Sequence, residues 1–165
     1  MKISYKRAIK NFLSQNWKDL IVIFIVPPAL FLLFLLPNKV KEMLVLHRDY
    51  SNVYDIFTTN FIHEDFSHLA FNITAYAVVI LLLYILLLTL NKKELFYTLL
   101  ILNLSVVPIL ISLVWIPVNK LVWTGALRTL GFSGIVSSIS GMVIYAYILL
   151  LHKKLGLTLS THISQ

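Results

Sequence analysis

Four long apolar runs, set apart by polar breaks, dominate the hydrophobic pattern of the chain: residues 20–36, 68–90, 95–116 and 133–151. Crossing a hydrocarbon core about 30 Å thick takes roughly 20 helical residues, so each run predicts a transmembrane helix. Pro27-Pro28 in the first removes two backbone donors and predicts a bend. Asn91-Lys92-Lys93-Glu94 predicts a tight turn after the second, and Asn103, Ser105 and Pro108 predict interhelical hydrogen bonding and a kink in the third. The segment 37–67 mixes apolar residues such as Val40, Leu44, Val53, Phe57 and Phe61 with charges, which predicts short helices folded back on the membrane surface. Ahead of the first run, residues 1–18 form a basic, partly amphipathic lead that orients the first helix or lies against anionic lipid heads. No small-residue cleavage site follows Leu36, so this end reads as an uncleaved signal anchor. With no repeat and no linker, residues 1–165 form a single domain, an all-α polytopic helical bundle of four transmembrane helices.

Composition sharpens this picture. The chain has 165 residues, of which 59% are hydrophobic and 13% charged, too apolar for a soluble domain of this size. The absence of cysteine excludes disulfides, thiol nucleophiles and cysteine-based metal centres. A formal net charge of +7 could point to nucleic acid, but its distribution argues otherwise. A four-span topology puts nine lysines and arginines against two carboxylates on one side, and five against five on the other. That is the positive-inside asymmetry, so the termini are expected in the cytoplasm, the protein in the cell membrane as a multi-pass protein, and the lipid bilayer, not nucleic acid, as its partner.

Two polar clusters carry candidate chemistry. Gly131-Phe132-Ser133-Gly134 opens the last run, with Gly141 seven residues beyond Gly134. Ser133, Ser137 and Gly141 recur every four residues, a small-residue stripe that also serves close helix packing. The second cluster, at the head of the second run, is His63, Glu64, Asp65, His68 and Asn72. His68 and Asn72 are four apart and share one helix face, and polar groups there need partners or work to do. A metal is the rival reading, but the spacing of His63 and His68 does not put both rings on one helical face, and no metal or cofactor is expected. The structural alternative is that the histidines and the asparagine tie the outer loop to the helix end, a reading that suits His63 better than His68 with Asn72. In a four-span topology Ser133 and the His68/Asn72 pair begin their helices on the same side. They then form the parts of an acyl-transfer site: Ser133 as nucleophile, with His68, Asn72 and the Ser133 N–H as oxyanion donors. The glycines on either side let a substrate backbone approach closely.

These residues, Gly131-Phe132-Ser133-Gly134 with Gly141, preceded by His63, His68 and Asn72 and a long outer loop, resemble the rhomboid family of intramembrane serine proteases. The resemblance covers roughly residues 60–141. It implies a bundle of at least six helices, Ser133 as nucleophile atop the fourth, and His68 with Asn72 in the oxyanion hole. His63, Gly131, Gly134 and Gly141 support that site. It also implies substrates that are transmembrane helices of other proteins, cut near the outer membrane face. The Trp-Arg pair common in the family's first loop is absent here. The family's general base is a histidine on the sixth helix, and no residue matches it; His152 is about 28 Å from Ser133 along one helix. The expectation is therefore a truncated or split protease whose missing helices a second chain supplies. The alternatives are an inactive relative that binds transmembrane clients, or an unrelated bundle in which the stripe only packs helices.

Overall fold

Helix α1, Tyr5–Phe24, runs unbroken from the basic lead into the first apolar run, because nothing in that stretch interrupts a helical ladder. The computed structural model describes residues 5–47, 52–122 and 128–155. The first membrane-length helix therefore begins at Tyr5 and not at Leu20, and it ends at Phe34. Its interruption falls at Ile25, between α1 and α2 (Val26–Phe34), one residue ahead of the proline pair's own turn. Pro27 and Pro28 thus sit in the first turn of α2, where a backbone donor would have no intrahelical acceptor.

The same device recurs further on. Helix α6, Lys93–Ser105, gives way at Val106 to α7, Val107–Val122, and Pro108 lies in the first turn of α7. The third membrane-length helix runs past its expected end at Ile116, through Pro117, to Leu121. Loss of one internal donor at Pro117 costs less than leaving a whole turn of backbone unpaired in an apolar setting. Helix α5, Phe66–Thr89, and α8, Ser133–Leu155, complete a set of four helices long and apolar enough to span a membrane. The chain is a multi-pass membrane protein by that criterion. Between α5 and α6, Asn91 adopts φ 61°, a left-handed conformation that asparagine tolerates better than most residues, and this closes the tight turn.

Helix α5 is the central element. It packs most extensively on α8 and also meets α1, α2 and α6. Its Tyr76, Ile80, Leu83, Tyr84 and Leu87 are buried with Ile23 and Leu30 of the first helix, Phe96 of α6, and Ile135 and Ile139 of α8. At the end where α5 begins, the segment 37–67 forms α3 (Asn38–Glu42), α4 (Asp55–Thr58) and a single 3-10 turn (Thr59–Phe61). Short helices were expected there; a strand pair was not. Leu46–His47 (β1) pairs antiparallel with Arg128–Thr129 (β2), Leu46 opposite Thr129 and His47 opposite Arg128. This short ladder ties the first long connection to the segment leading into α8.

At the opposite end of the bundle, Asp19 of α1 is buried and accepts hydrogen bonds from the hydroxyls of Tyr84 and Tyr97. Lys93 at the start of α6 closes on the same carboxylate at 2.6 Å. Three helices are thereby joined through one side chain.

Candidate functional site

Helix α5 owes its starting point to Asp65. That residue is extended (φ −131°), and its carboxylate accepts the His68 backbone N–H at 2.8 Å as an N-cap. Starting the helix at Phe66 puts His68 in its first turn and Asn72 one turn deeper. Asn72 is 1% exposed, and its amide nitrogen lies 3.0 Å from Nε2 of His63, which is equally buried. An amide N–H can only donate, so Nε2 accepts and the proton of a neutral His63 resides on Nδ1. The His63 and His68 rings meet edge to face, centroids 5.1 Å apart.

The second half of the site arrives through β2. Gly131 adopts φ +110°, and its N–H donates to the Thr59 carbonyl at 3.1 Å. A Cβ added there would stand 2.6 Å from Cε1 and 2.8 Å from Nε2 of His68, and 3.8 Å from the Asn72 amide nitrogen. Only glycine fits both that backbone conformation and that approach. Phe132 follows, fully buried, its ring against Tyr76 (5.5 Å) and Phe61 (5.8 Å). This aromatic wedge holds the first turn of α8 against α5. Ser133 comes next, exposed, and among the described residues no hydrogen bond engages its hydroxyl.

The fold thus brings Gly131, His68, Asn72 and His63 together, and Ser133 follows two residues after Gly131. Two of the expected supporting glycines behave differently. Gly134 makes close helix packing, since a Cβ would lie 2.6 Å from Cδ1 of Ile111 on α7. Gly141 faces open space with nothing within 4 Å and does not reach the cluster. Ser133, Ser137 and Gly141 form an exposed stripe of α8, so this stripe packs no helix of the described chain. Of the four candidate metal donors, Asp65 caps α5, His63 pairs with Asn72, Glu64 binds Arg128 at 2.8 Å, and His68 lies edge to face with His63. His152 lies near the far end of α8, and His162 falls outside the described residues.

Sequence reasoning missed the residues that hold the two halves in register. Buried Thr59 accepts the Leu46 N–H at 3.1 Å and donates to the Thr129 carbonyl, so one hydroxyl bridges both strands while its own carbonyl holds Gly131. Buried Asn60 donates to the Pro108 carbonyl and the Ser112 hydroxyl, both at 3.0 Å, fixing the 3-10 turn to α7. The available signal was a polar Thr58-Thr59-Asn60 triplet inside an otherwise apolar stretch. Arg128 bridges Glu42 of α3 and Glu64 ahead of α5.

Burial pushes the His63 imidazole down to about 4, with the adjacent His68 acting in the same direction. The unfolded chain titrates near 6.5, so between pH about 6.5 and about 4 it binds a proton that the folded chain refuses. Stability from this site is complete above the upper value and declines as pH falls through that window. We expect the unfolding midpoint in mixed micelles to drop over this range, and to drop less in His63→Gln.

No protein-family model matches the chain, and comparison with curated proteins and with solved structures returns no match.

Proposed function

We propose that this chain forms a rhomboid-type site in which Ser133 is the nucleophile of an intramembrane serine protease acting on transmembrane helices of other membrane proteins. The observation that carries the proposal is the approach of Gly131 to the His68 ring and the Asn72 amide, which joins two motifs about 60 residues apart. A chance packing stripe would not need that contact. In this reading the charge asymmetry places both termini in the cytoplasm and the Ser133 end of the bundle on the outer side.

Ser133 Oγ attacks the scissile carbonyl, and the carbonyl oxygen takes up the negative charge. His68 and the second amide hydrogen of Asn72, the first being held by His63, face that charge. The Ser133 N–H joins them, because the first N–H groups of α8 have no intrahelical acceptor and mark its positive end. The hydroxyl proton passes to a base on the helices that a second chain supplies, which returns it to the leaving amine, since an isolated serine hydroxyl is a weak nucleophile. The second reading is favoured by one specific observation: no imidazole or carboxylate among the described residues hydrogen-bonds Ser133. Under it, the same surface binds transmembrane clients without cutting them.

A serine-directed fluorophosphonate probe separates the two. Labelling of the protein in detergent is expected, and it should fall to background in Ser133→Ala. Equal labelling of the two proteins, or none in a folded wild type, would count for the client-binding reading.

A further inference from the structure

The first membrane-length helix, Tyr5–Phe34, has 30 residues, and at about 1.5 Å each it spans about 45 Å against a hydrocarbon core about 30 Å thick. Its excess belongs to the N-terminal end, because that end carries the charge: residues 1–18 hold five lysines and arginines and no carboxylate. The bundle does not follow the helix that far. Phe12 packs on the Tyr84 ring, centroids 6.4 Å apart, whereas Ile9 and Tyr5, one and two turns earlier on the same face, are 59% and 86% exposed.

Two kinds of side chain share this exposed length of α1. Ile9, Leu13 and Trp17 recur every four residues as an exposed apolar stripe, and Lys6, Lys10 and Ser14, also four apart, run beside it; together they line one open groove. Trp17 stands just ahead of the apolar run that begins at Leu20, where tryptophan marks the membrane interface. Among the described residues no ion pair engages Lys6, Arg7 or Lys10. Water would satisfy the lysines but leave the stripe uncovered, and a second copy of the chain would set lysine against lysine. A cationic wall beside an apolar floor complements an anionic amphiphile.

We propose that this groove binds an anionic phospholipid, with Lys6 and Lys10 pairing with the headgroup phosphate and Ile9, Leu13 and Trp17 covering the near part of an acyl chain. The bound lipid holds the first turns of α1 against the leaflet. It thereby sets the tilt of the helix that Asp19 joins to α5 and α6. The inference is independent of the protease reading, because it concerns the end of the bundle opposite Ser133.

The test uses the full chain with Trp115→Phe and Trp123→Phe, which leaves Trp17 as the single tryptophan, in liposomes of one fixed mixture of phosphatidylglycerol and phosphatidylcholine. Bromine, which quenches tryptophan emission, is carried on the acyl chains of one lipid or of the other. Per mole, brominated phosphatidylglycerol should quench Trp17 about two-fold or more above brominated phosphatidylcholine, and the excess should shrink in high salt. Lys6→Gln/Lys10→Gln should abolish the excess. Arg7→Gln/Lys18→Gln removes the same charge from side chains that do not line the groove, and should keep most of it. Equal quenching by the two lipids in the Trp17-only protein would overturn the proposal, and so would little quenching by either, the result for a stripe covered by a second copy. An excess that survives Lys6→Gln/Lys10→Gln, or falls equally in the two double variants, would also overturn it and assign the preference to the diffuse charge of the basic segment.

Discussion

Gly131→Ala is expected to be the most damaging single-methyl change in the chain, and Gly134→Ala and Gly141→Ala calibrate it. At Gly131 two costs add. A φ of +110° is a conformation that a residue with a Cβ rarely adopts, and holding one there costs on the order of 1–3 kcal/mol. The new methyl would also stand 2.6 Å from a ring carbon of His68, and overpacking of that kind costs about 1–3 kcal/mol more. The His68 ring cannot withdraw freely, because His63 lies against its edge. At Gly134 the opposing atom is the far end of the Ile111 side chain, which can rotate away, so a loss below about 1 kcal/mol is expected from a helical glycine whose replacement also gains helix propensity. At Gly141 there is no opposing atom, and alanine should be neutral or stabilising by up to about 1 kcal/mol. Denaturant titration of the three variants in mixed micelles gives the ranking directly. Equal effects at Gly131 and Gly134 would mean that the strained approach to His68 is not a feature of the folded protein. A second readout belongs to the site alone: the His68 ring resonances should move in Gly131→Ala and stay in place in Gly141→Ala.

Asp19→Ala should cost about 3 kcal/mol, because it removes the acceptor for charge-assisted hydrogen bonds worth about 1.5–3 kcal/mol each, partly offset by new solvation of the groups released. The carboxylate joins α1 to Tyr84 of α5 and to Tyr97 and Lys93 of α6. Tyr84 keeps a second acceptor, the Asn16 side-chain oxygen at 2.8 Å, and Lys93 is half exposed and can turn to water. Tyr97, half-buried, has no second acceptor among the described residues. Asp19→Asn keeps an acceptor of nearly the same shape and should lose less than half as much. The same micelle titration reads both variants. A loss as large in Lys93→Ala as in Asp19→Ala would show that the ion pair, and not the tyrosine hydroxyls, dominates the joint. Since this cluster lies at the opposite end of the bundle from Ser133, fluorophosphonate labelling per folded molecule should be unchanged in either variant.

The four spans were legible because length and apolarity are properties of a run, and a bilayer reads them without reference to what packs where. Their ends were less so. Residues 5–19 joined the first helix and residues 117–122 the third, since nothing in either stretch halts a helix once it is paired along its backbone. Pro27, Pro28 and Pro108 of the two broken spans were visible, but their place in the first turn of a new segment depended on which carbonyls the neighbouring turn left free. In the site, His68 and Asn72 could be placed on one face by their spacing of four, and Asp65 caps the helix that sets that spacing. The pairing of Asn72 with His63 could not be read in this way, because it links a loop residue to a helix residue across a turn whose shape the spacing does not specify.

What the sequence determined by itself is the class of molecule and the presence of two polar clusters in an apolar chain. Composition and hydrophobic run length decide these locally, residue by residue. The tertiary structure alone decided that Gly131 rests on the His68 ring, that Gly141 faces open space while Gly134 meets Ile111, and that Thr59 and Asn60 hold the two halves in register. These contacts join residues 13 to 70 positions apart. They follow from how α5 and α8 come together around Phe132, and no local pattern of polar and apolar positions encodes that approach.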